Sequence, residues 1–335
     1  MNASHISPHV QPIAEPLHVI TAVFNPDRFR TRYMHYRTFE DHMRASGVVL
    51  HTVELAFGDR AFEVTDGANP LHIQLRTRHE MWYKENLQNI AVRRLPIGCN
   101  YFAFIDADFH MTRPDWAYEA LHLMQRYPVI QLFSSYSTLR SDFRHENAVP
   151  SFMRAWHDGK RPPPDGAGWL GATGGAWAFT RAAYDTLGGL LDTEIVGSAD
   201  WHMIFALVGI EDPYLRKNMV SPGYCAALRQ WAARAKLLHA RIGCLNNHAV
   251  HYYHGPVCQR GYDSRWRIIT RHNFDPSTDL VCNSQGLWQF AGNKPEMENE
   301  IIAYMEGRGD DLAPPTPDPR KAEVKPAFPP YTTAK

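Results

Sequence analysis

The chain has 335 residues, which is enough for one large domain or two ordinary domains with a substantial hydrophobic core. Lysine and arginine number 35 together, as do aspartate and glutamate, so no net basic charge is present to attract nucleic acid nonspecifically. The five scattered cysteines, the absence of a Cys-x-x-Cys pair and the lack of any run of about 18 apolar residues lead us to expect a cytoplasmic protein with reduced thiols and no membrane span.

The first part of the chain is predicted to alternate strands with helices. The apolar run Leu17–Phe24 predicts a buried strand that ends at an Asn-Pro turn. Aromatic and apolar residues at helical spacing predict a helix over 28–47, followed by a second strand over 48–55. A second amphipathic helix is predicted over 79–95 and a third strand over Tyr101–Ile105. This alternation indicates right-handed crossovers and a mostly parallel sheet, and therefore an α/β fold.

Two aspartates follow the third predicted strand. Ligands bind outside the carboxyl ends of the strands in such sheets, and Asp106 and Asp108 lie there. In an extended chain they project from the same side about 6.5 Å apart, and two carboxylates that close repel each other unless a cation binds or one is protonated. We therefore predict a site for Mg²⁺ or Mn²⁺. The alternative is an Asp-rich turn before a helix that begins near Asp115.

A glycine-rich segment precedes a further predicted strand and helix. Gly174 and Gly175 remove side chains where another group must come close to the backbone, and Trp169 and Trp177 offer flat faces to a sugar ring or base. A tight turn with core tryptophans is the alternative. Asp200 lies at or near the N-terminus of a predicted apolar helix, where it is either a capping residue or a catalytic base.

Three histidines, His248, His251 and His254, are spaced three residues apart around an aromatic, strand-like stretch. Imidazole nitrogens accept Mn²⁺ and Zn²⁺, but neither cysteine nor a His-Glu-x-x-His motif accompanies them. We therefore expect a histidine here to complete a metal site begun by the distant aspartates. Four arginines of the next segment are predicted to face either phosphate or solvent: Arg260, Arg265, Arg267 and Arg271.

In this order the motifs resemble those of the GT-A fold of sugar-nucleotide-dependent glycosyltransferases, within it the β-1,4-galactosyltransferase-like and polypeptide N-acetylgalactosaminyltransferase-like branches. The resemblance covers roughly Leu17 to Asn273 and implies a Rossmann-like, mostly parallel sheet flanked by helices. Its matching segments are I-D-A-D-F for D-x-D, G-G-A-W-A for G-G-x-x-A, G-S-A-D-W for a G-G-E-D-like element, and H-Y-Y-H for the metal-binding pair. Ser198 and Ala199 replace the usual Gly-Glu, which leaves acceptor recognition and stereochemistry open.

The resemblance implies transfer of a sugar from a nucleoside-diphosphate sugar, with uridine expected, to an acceptor hydroxyl. Mn²⁺ or Mg²⁺ would be held by Asp108 and His254, with Asp106 on the metal or the ribose and His251 as a further ligand. Asp200 would be the general base of an inverting reaction, or a hydrogen-bonding group if configuration is retained. The residues expected to contact the donor are Asn25, Glu54, Lys84, Asn89, Asp106, Gly174 and Gly175, and those expected to contact the acceptor are Trp169, Trp177, Asp200 and Trp201.

The acceptor is expected to be a saccharide or DNA that carries 5-hydroxymethylpyrimidines, whose backbone the basic segments 28–37 and 229–241 would follow. A metal-dependent nucleotidyltransferase also uses paired carboxylates after a strand. However, F-N-P-D-R-F lacks the glycine-rich, basic loop expected after its first strand. A noncatalytic carbohydrate- or nucleotide-binding module on the same fold is the third alternative. No obligate protein partner is predicted.

We expect a single catalytic domain over 17–306, with a nucleotide-binding half over 17–135 and an acceptor-binding half over 136–306. An N-terminal extension, 1–16, precedes it. The segment 307–335 is rich in proline and is expected to be a disordered tail. The segment 157–169 is predicted to be either a mobile lid that excludes water or a plain surface loop.

Overall fold

The computed structural model describes residues 13, 15–140, 142, 144–146, 148–162, 170–212, 220–239, 241–262 and 264–312. The strands are β1 His18–Phe24, β2 Val49–Phe57, β3 His72–Thr77, β4 Tyr101–Ile105, β5 Phe109–Met111, β6 Val129–Gln131, β7 Ser135–Thr138, β8 Val149–Pro150, β9 Ala176–Thr180, β10 Ile242–Cys244, β11 His248–His251, β12 Leu280–Cys282 and β13 Trp288–Phe290.

The helices are α1 Arg30–Ala45, α2 Lys84–Val92, α3 Trp116–Met124, α4 Phe152–His157, α5 Arg181–Leu187, α6 Ala199–Leu207, α7 Pro222–Ala235, α8 Arg265–Arg271, α9 Pro276–Asp279 and α10 Pro295–Glu306. Short 3₁₀ turns cover Lys236–Leu238 and Val257–Arg260. Within the described ranges, no helix is both long and apolar enough to cross a membrane.

A seven-stranded sheet in the order β10-β6-β9-β4-β1-β2-β3 forms the centre of the fold. Its neighbouring strands run parallel except at β9, which is antiparallel to both β4 and β6. Successive residues of β1, Val19 and Ile20, belong to two different buried hydrophobic clusters, so both faces of the sheet are covered. The predicted mixed, mostly parallel α/β fold with flanking helices is confirmed.

A second, four-stranded sheet has the order β5-β11-β7-β8. The chain leaves the central sheet at the end of β4, turns through Asp106 to Asp108, and enters the second sheet as β5. There β5 pairs antiparallel with β11, which places His251 opposite Phe109. The turn between β4 and β5 therefore lies where the two sheets meet, and this junction positions the candidate site.

The elements differ from the predicted ones mainly at their ends. Helix α2 begins at Lys84, not at His79. The four arginines after the histidines were also predicted to lie on one helix from about Gln259, but the helix begins at Arg265, behind a 3₁₀ turn that contains Arg260. Strand β3 was not predicted. It lies at the edge of the sheet and alternates buried Ile73 and Leu75 with more exposed polar residues, the pattern of a half-buried strand.

The start of the predicted tail belongs to the folded domain. Arg308 and Asp310 are 5% and 1% exposed, and the Asp310 carboxylate lies 2.6 Å from Nε of Arg32 in α1. Asp311 accepts hydrogen bonds from the backbone N–H groups of Arg30 and Thr31, the first residues of that helix. The domain therefore extends beyond the boundary predicted at residue 306. The rest of the expected tail, 313–335, most of the N-terminal extension and 163–169 of the expected lid lie outside the described residues.

Candidate functional site

Backbone hydrogen bonds shape the turn that carries the two aspartates. The Asp106 N–H donates to the Gly175 carbonyl at 2.8 Å, which joins the end of β4 to the start of β9, and the Phe109 N–H donates back to the Asp106 carbonyl at 3.0 Å. The Asp108 carbonyl accepts from the N–H of Tyr252, just after β11, at 2.9 Å. The two carboxylates consequently face different surroundings although one residue separates them.

Asp108 forms a compact group with two histidines, which we call the histidine triad. Its Oδ2 lies 3.1 Å from Nε2 of His254 and 3.4 Å from Nε2 of His251, and the two Nε2 atoms are 3.3 Å apart. The strand pairing of β5 with β11 supplies this convergence, since Asp108 precedes one strand and His251 ends the other. The predicted pairing of Asp108 with His251 and His254 is found in the structure.

The chemistry of the triad suits a divalent cation. One ligand atom from each of the three residues lies within 4.8 Å of the others, and Oδ1 of Asp108 is buried with no hydrogen-bond partner in the described chain. Burial, with repulsion from Arg260, lowers the pKa of His254 to about 3, so its imidazole is neutral, as a metal ligand must be. Burial opposes ionisation of Asp108, but the neighbouring histidines hold its pKa well below the usual value. A carboxylate with two imidazoles suits Mn²⁺, and the mixed donor set is less typical of Mg²⁺.

Asp106 belongs to a different group, which we call the lysine cluster and which also contains Lys84, Glu85 and Asp200. Nζ of Lys84 lies 3.3 Å from the Asp106 carboxylate and 3.6 Å from that of Glu85. Burial acts to lower the pKa of Lys84, but Asp106, Glu85 and Asp200 raise it above its usual value. Burial also raises the pKa of Asp106, against the effect of Lys84, and raises that of Glu85 to about 7. The single ammonium of Lys84 thus interacts with the carboxyl groups of Asp106, Glu85 and Asp200. Asp106 contacts Lys84 in this structure and stands outside the triad.

Asp200 lies in the first turn of α6 but does not cap its own helix. Its Oδ2 accepts a hydrogen bond from Oγ1 of Thr173 at 2.5 Å. A Cβ atom on Gly174 would lie 2.7 Å from the same oxygen, so glycine is required for the carboxylate to approach this segment. Before the helix, Gly197 and Ser198 both adopt left-handed backbone conformations, with φ of 86° and 84°. For Ser198 this conformation is unusual, and non-glycine residues of this kind cluster at functional sites.

The second predicted glycine makes room for an aromatic ring. Gly175 has a φ of +93°, and a Cβ atom there would lie 2.3 Å from Cζ of Phe109. That ring in turn packs edge-on against His251, with centroids 5.2 Å apart. The close approach predicted at Gly174 and Gly175 is therefore present, and the approaching groups are Asp200 and Phe109. Their contact with a donor stays a prediction.

Two of the predicted donor-binding side chains serve the chain's own backbone. The amide of Asn25 bonds both the N–H and the carbonyl of Phe29, which closes the turn into α1. Both carboxylate oxygens of Glu54 accept hydrogen bonds from backbone N–H groups of 63–65. These side chains are therefore satisfied by the chain's own backbone, and contact of Asn25 and Glu54 with a donor stays a prediction.

Asn89 is also engaged internally. Five residues along an α-helix correspond to a turn of about 140°, so Asn89 and Lys84 point to different sides of α2. The Asn89 side chain accepts from the hydroxyl of Tyr184 and bonds both backbone groups of Leu190. This network accounts for the burial of Asn89 without a ligand, and its contact with a donor stays a prediction.

The tryptophans predicted to contact the acceptor differ in position. Trp177 is buried in the core and donates its indole N–H to the Thr173 carbonyl at 2.8 Å, which favours the core alternative. Trp201, next to Asp200, is partly exposed and packs on Phe205 with ring centroids 5.0 Å apart. Its indole N–H has no partner among the described residues. Trp169 lies outside the described residues.

Several residues at this site were not predicted from the sequence. Thr173 orients Asp200, and Asp310 lies 3.8 Å from Nδ1 of His254. Arg265 donates a hydrogen bond to Oγ of Ser198, just before α6. Arg265 is one of the four arginines predicted to face phosphate or solvent, and the structure buries it at 8% exposed. The sequence offered no signal for Asp310, which precedes a proline-rich stretch.

Comparison with known proteins finds only remote likeness. No protein-family model matches the chain, and no curated protein matches it. The catalytic domain of Drosophila beta1,4-galactosyltransferase 7 in complex with xylobiose is 10% identical, over 84% of this chain and 97% of that chain, with a TM-score of 0.38. A mutant of that enzyme in complex with manganese, UDP-Gal and xylobiose is 11% identical over 84% and 98%, also with a TM-score of 0.38. S. aureus TarS 1-349 is 10% identical over 88% and 71%, with a TM-score of 0.34. The first two are glycosyltransferases, the class that the order of motifs resembles, but a likeness this remote identifies neither activity nor substrate.

Proposed function

We propose that the protein is a metal-dependent glycosyltransferase that moves a sugar from a nucleoside-diphosphate sugar, with uridine as the expected nucleoside, to an acceptor hydroxyl. The observation that carries the proposal is the meeting of Asp108, His251 and His254, from two distant parts of the chain, beside a second carboxylate that contacts Lys84. This meeting occurs at the carboxyl end of β4, where ligands of parallel sheets bind.

The donor side of the reaction is assigned to the histidine triad and to Lys84. Asp108, His251 and His254 would hold Mn²⁺, with Mg²⁺ as the alternative, and the bound cation would offset negative charge on the departing nucleoside diphosphate. The buried ammonium of Lys84 adds a fixed positive charge nearby, because its neighbouring carboxylates keep its pKa high. Asp106 is free of the triad and is assigned to a hydroxyl of the donor ribose.

The acceptor side is assigned to Asp200. The bond from the acceptor oxygen to the anomeric carbon forms as the bond from that carbon to the diphosphate oxygen breaks, and the acceptor proton passes to the carboxylate. Thr173 fixes Oδ2 of Asp200, whereas no hydrogen bond from a described residue reaches Oδ1, which is left for the acceptor hydroxyl. Attack in line with the leaving group gives inversion.

A saccharide is the better-supported acceptor. Three arginines of the basic segment 28–37 contact the protein itself: Arg28 pairs with Glu63 at 3.0 Å, Arg32 with Asp310 at 2.6 Å, and Arg37 donates to the Glu63 carbonyl at 3.3 Å. Guanidinium groups engaged in this way are less available to follow a phosphate backbone. Hydroxymethylated DNA therefore enters the test as the second acceptor.

The test is release of nucleoside diphosphate from a panel of sugar nucleotides in the presence of Mn²⁺, with saccharides or hydroxymethylated DNA as acceptors. We expect metal-dependent release from at least one UDP-sugar and loss of that release in Asp108→Ala. Asp115→Ala is the matched control and should behave as wild type, because Asp115 is an exposed residue just before α3 that pairs with Arg113. No metal-dependent release from any donor contradicts the proposal. Transfer of a nucleotidyl group with release of pyrophosphate would indicate a nucleotidyltransferase instead.

A further inference from the structure

Three arginines near the triad are buried but incompletely paired. Arg260, Arg265 and Arg308 are only 5%, 8% and 5% exposed. A guanidinium carries five N–H donors and no acceptor, so its burial requires several acceptors nearby. In the described part of the chain, nothing accepts a hydrogen bond from Nε of any of the three, or from Nη2 of Arg260. We call these residues the arginine cluster.

Two tyrosines join the cluster. Nη1 of Arg260 donates to the hydroxyl of Tyr262 at 3.3 Å, and the Arg265 guanidinium lies over the Tyr262 ring at 5.0 Å. Nη1 of Arg308 donates to the Tyr304 hydroxyl at 3.3 Å, and that hydroxyl donates to the Arg260 carbonyl at 3.4 Å. Burial acts to raise the pKa of Tyr304, but Arg265 and Arg308 lower it, a sign of strong positive potential. The three guanidinium groups therefore act on one small region.

Among the carboxylates that the structure describes, only that of Asp310 lies within ion-pair distance of the cluster. Nε of Arg308 is 3.6 Å from Oδ1 of Asp310, but that carboxylate is already shared with Arg32 at 2.6 Å. Neither Arg260 nor Arg265 forms an ion pair with any carboxylate that the structure describes. An uncompensated buried charge costs several kcal/mol, so the cluster is built to receive an anion.

The position of the cluster indicates which anion. On one side Asp310, the partner of Arg308, lies 3.8 Å from Nδ1 of His254 in the triad. On the other side Arg265 bonds Ser198, two residues before Asp200. The cluster is thus linked through Asp310 to a residue assigned to the metal and through Ser198 to the segment that carries Asp200, which places it next to the site assigned to the donor.

We propose that Arg260, Arg265 and Arg308 bind the diphosphate group of the nucleotide substrate, independently of the metal ion. Planar guanidinium groups match phosphate oxygens with paired hydrogen bonds, and a diphosphate supplies the two or three negative charges that three arginines balance. The identity of the ligand rests on the proposed function, whereas the anion site rests on the arginines alone.

The test is titration of inorganic pyrophosphate by calorimetry in EDTA, which removes any contribution from a metal. Wild-type protein should bind, and Arg260→Met, Arg265→Met and Arg308→Met should each bind at least about tenfold more weakly, the loss of one or more charge-assisted hydrogen bonds. Arg267→Met is the matched control, because Arg267 is exposed on the same helix as Arg265 and should leave the affinity unchanged. Unchanged affinity in the three folded variants overturns the proposal.

Thermal unfolding separates binding from a structural role. Without ligand, Arg260→Met and Arg265→Met should unfold at the wild-type temperature or above, because each removes a buried charge that no described carboxylate pairs with. Both should also lose the rise in Tm that pyrophosphate gives the wild type. A lower Tm combined with wild-type affinity would show that the arginines only stabilise the fold. If a methionine variant does not fold, Arg308→Lys keeps the charge, removes the planar fork and should still weaken binding.

The two proposals can fail separately. If the wild type binds pyrophosphate, the variants do not, and no sugar nucleotide is turned over, then the arginine site is supported and the glycosyltransferase proposal is rejected. If the protein transfers a sugar but its variants bind pyrophosphate as tightly as the wild type, then the glycosyltransferase proposal is supported and the arginine site is rejected. UDP should compete with pyrophosphate in EDTA. If orthophosphate binds as tightly as pyrophosphate and UDP does not compete, the assignment to a diphosphate is wrong.

Discussion

The histidine triad and the lysine cluster lie on either side of one short turn, yet they balance charge in different ways. In the lysine cluster a buried ammonium supports Asp106, Glu85 and Asp200, and the excess of carboxyl groups is relieved by the raised pKa values of Asp106 and Glu85. In the triad the lowered pKa of His254 keeps that imidazole neutral, and Oδ1 of Asp108 is buried with no hydrogen-bond partner among the described residues.

The two aspartates of a D-x-D sequence therefore need not be equivalent metal ligands. The lysine cluster is complete without any added ion, because the protein supplies its own cation. The triad offers three donors of the type that a transition metal accepts.

The largest effect is expected at Asp200, on the lysine side. Asp200→Asn should lower kcat by about 10² to 10⁴, the usual contribution of a general base, because the amide cannot take the acceptor proton. Binding of UDP in the presence of Mn²⁺, measured by calorimetry, should stay at the wild-type level. The control is Asp185→Asn, an exposed residue of α5. A fully active Asp200→Asn variant would remove Asp200 from the role of base.

The raised pKa of Glu85 predicts a pH-dependent stability. Burial raises this pKa from 4.5 to about 7, so the folded state binds a proton that the unfolded state has already released between these values. The free energy of unfolding should therefore fall as the pH rises from about 4.5 to 7, by up to about 3 kcal/mol from this group. Urea unfolding at both pH values should show a smaller fall in the free energy of unfolding for Glu85→Gln than for the wild type. An equal fall in the variant would mean that Glu85 ionises normally.

Next to the histidine triad, a substitution of Asp310 should have a smaller effect than the two substitutions above. Asp310 lies beside Nδ1 of His254, and a carboxylate behind a metal-binding histidine usually contributes about 10-fold to 100-fold in metal affinity. Asp310→Asn should weaken Mn²⁺ binding by about 10-fold in a calorimetric titration.

The neighbouring Asp311→Asn is the control for that titration. Asp311 bonds the first N–H groups of α1 and not a histidine, so its loss should cost roughly 1 kcal/mol of stability and leave Mn²⁺ affinity unchanged. Equal effects of the two substitutions on the affinity would show that the segment acts only by holding α1 in place.

The sequence allowed the prediction of those features that depend on local pattern. Strand β4 and the aspartates after it could be recognised because a short apolar run ends in carboxylates, and His251 and His254 because a fixed spacing places them near the end of a strand. Strand β3 also carries a local signal, its alternation of buried and polar residues, which the prediction missed.

Features that depend on distant partners could not be predicted. Asn89 is a polar residue whose hydrogen bonds come from Tyr184 and Leu190, far along the chain, so nothing local distinguishes it from a ligand-binding residue. The partners of Glu54 are nearer in sequence, at 63–65, but they lie in an irregular segment whose course no pattern predicts. Asp310 lies in a polar segment before a proline-rich stretch, and only the fold brings it to Arg32 and His254. The different surroundings of Asp106 and Asp108 likewise depend on Lys84, which belongs to helix α2 and contacts only Asp106 of the two.

A titration with Mn²⁺ of wild type, Asp108→Ala and Asp106→Asn, monitored by the signal of free Mn²⁺ in electron paramagnetic resonance, tests the contrast most directly. We predict one site in the wild type, loss of affinity by more than about 100-fold in Asp108→Ala, beyond what an outer-shell residue contributes, and near wild-type affinity in Asp106→Asn. Equal losses in the two variants would contradict the account, because both aspartates would then be ligands of one ion.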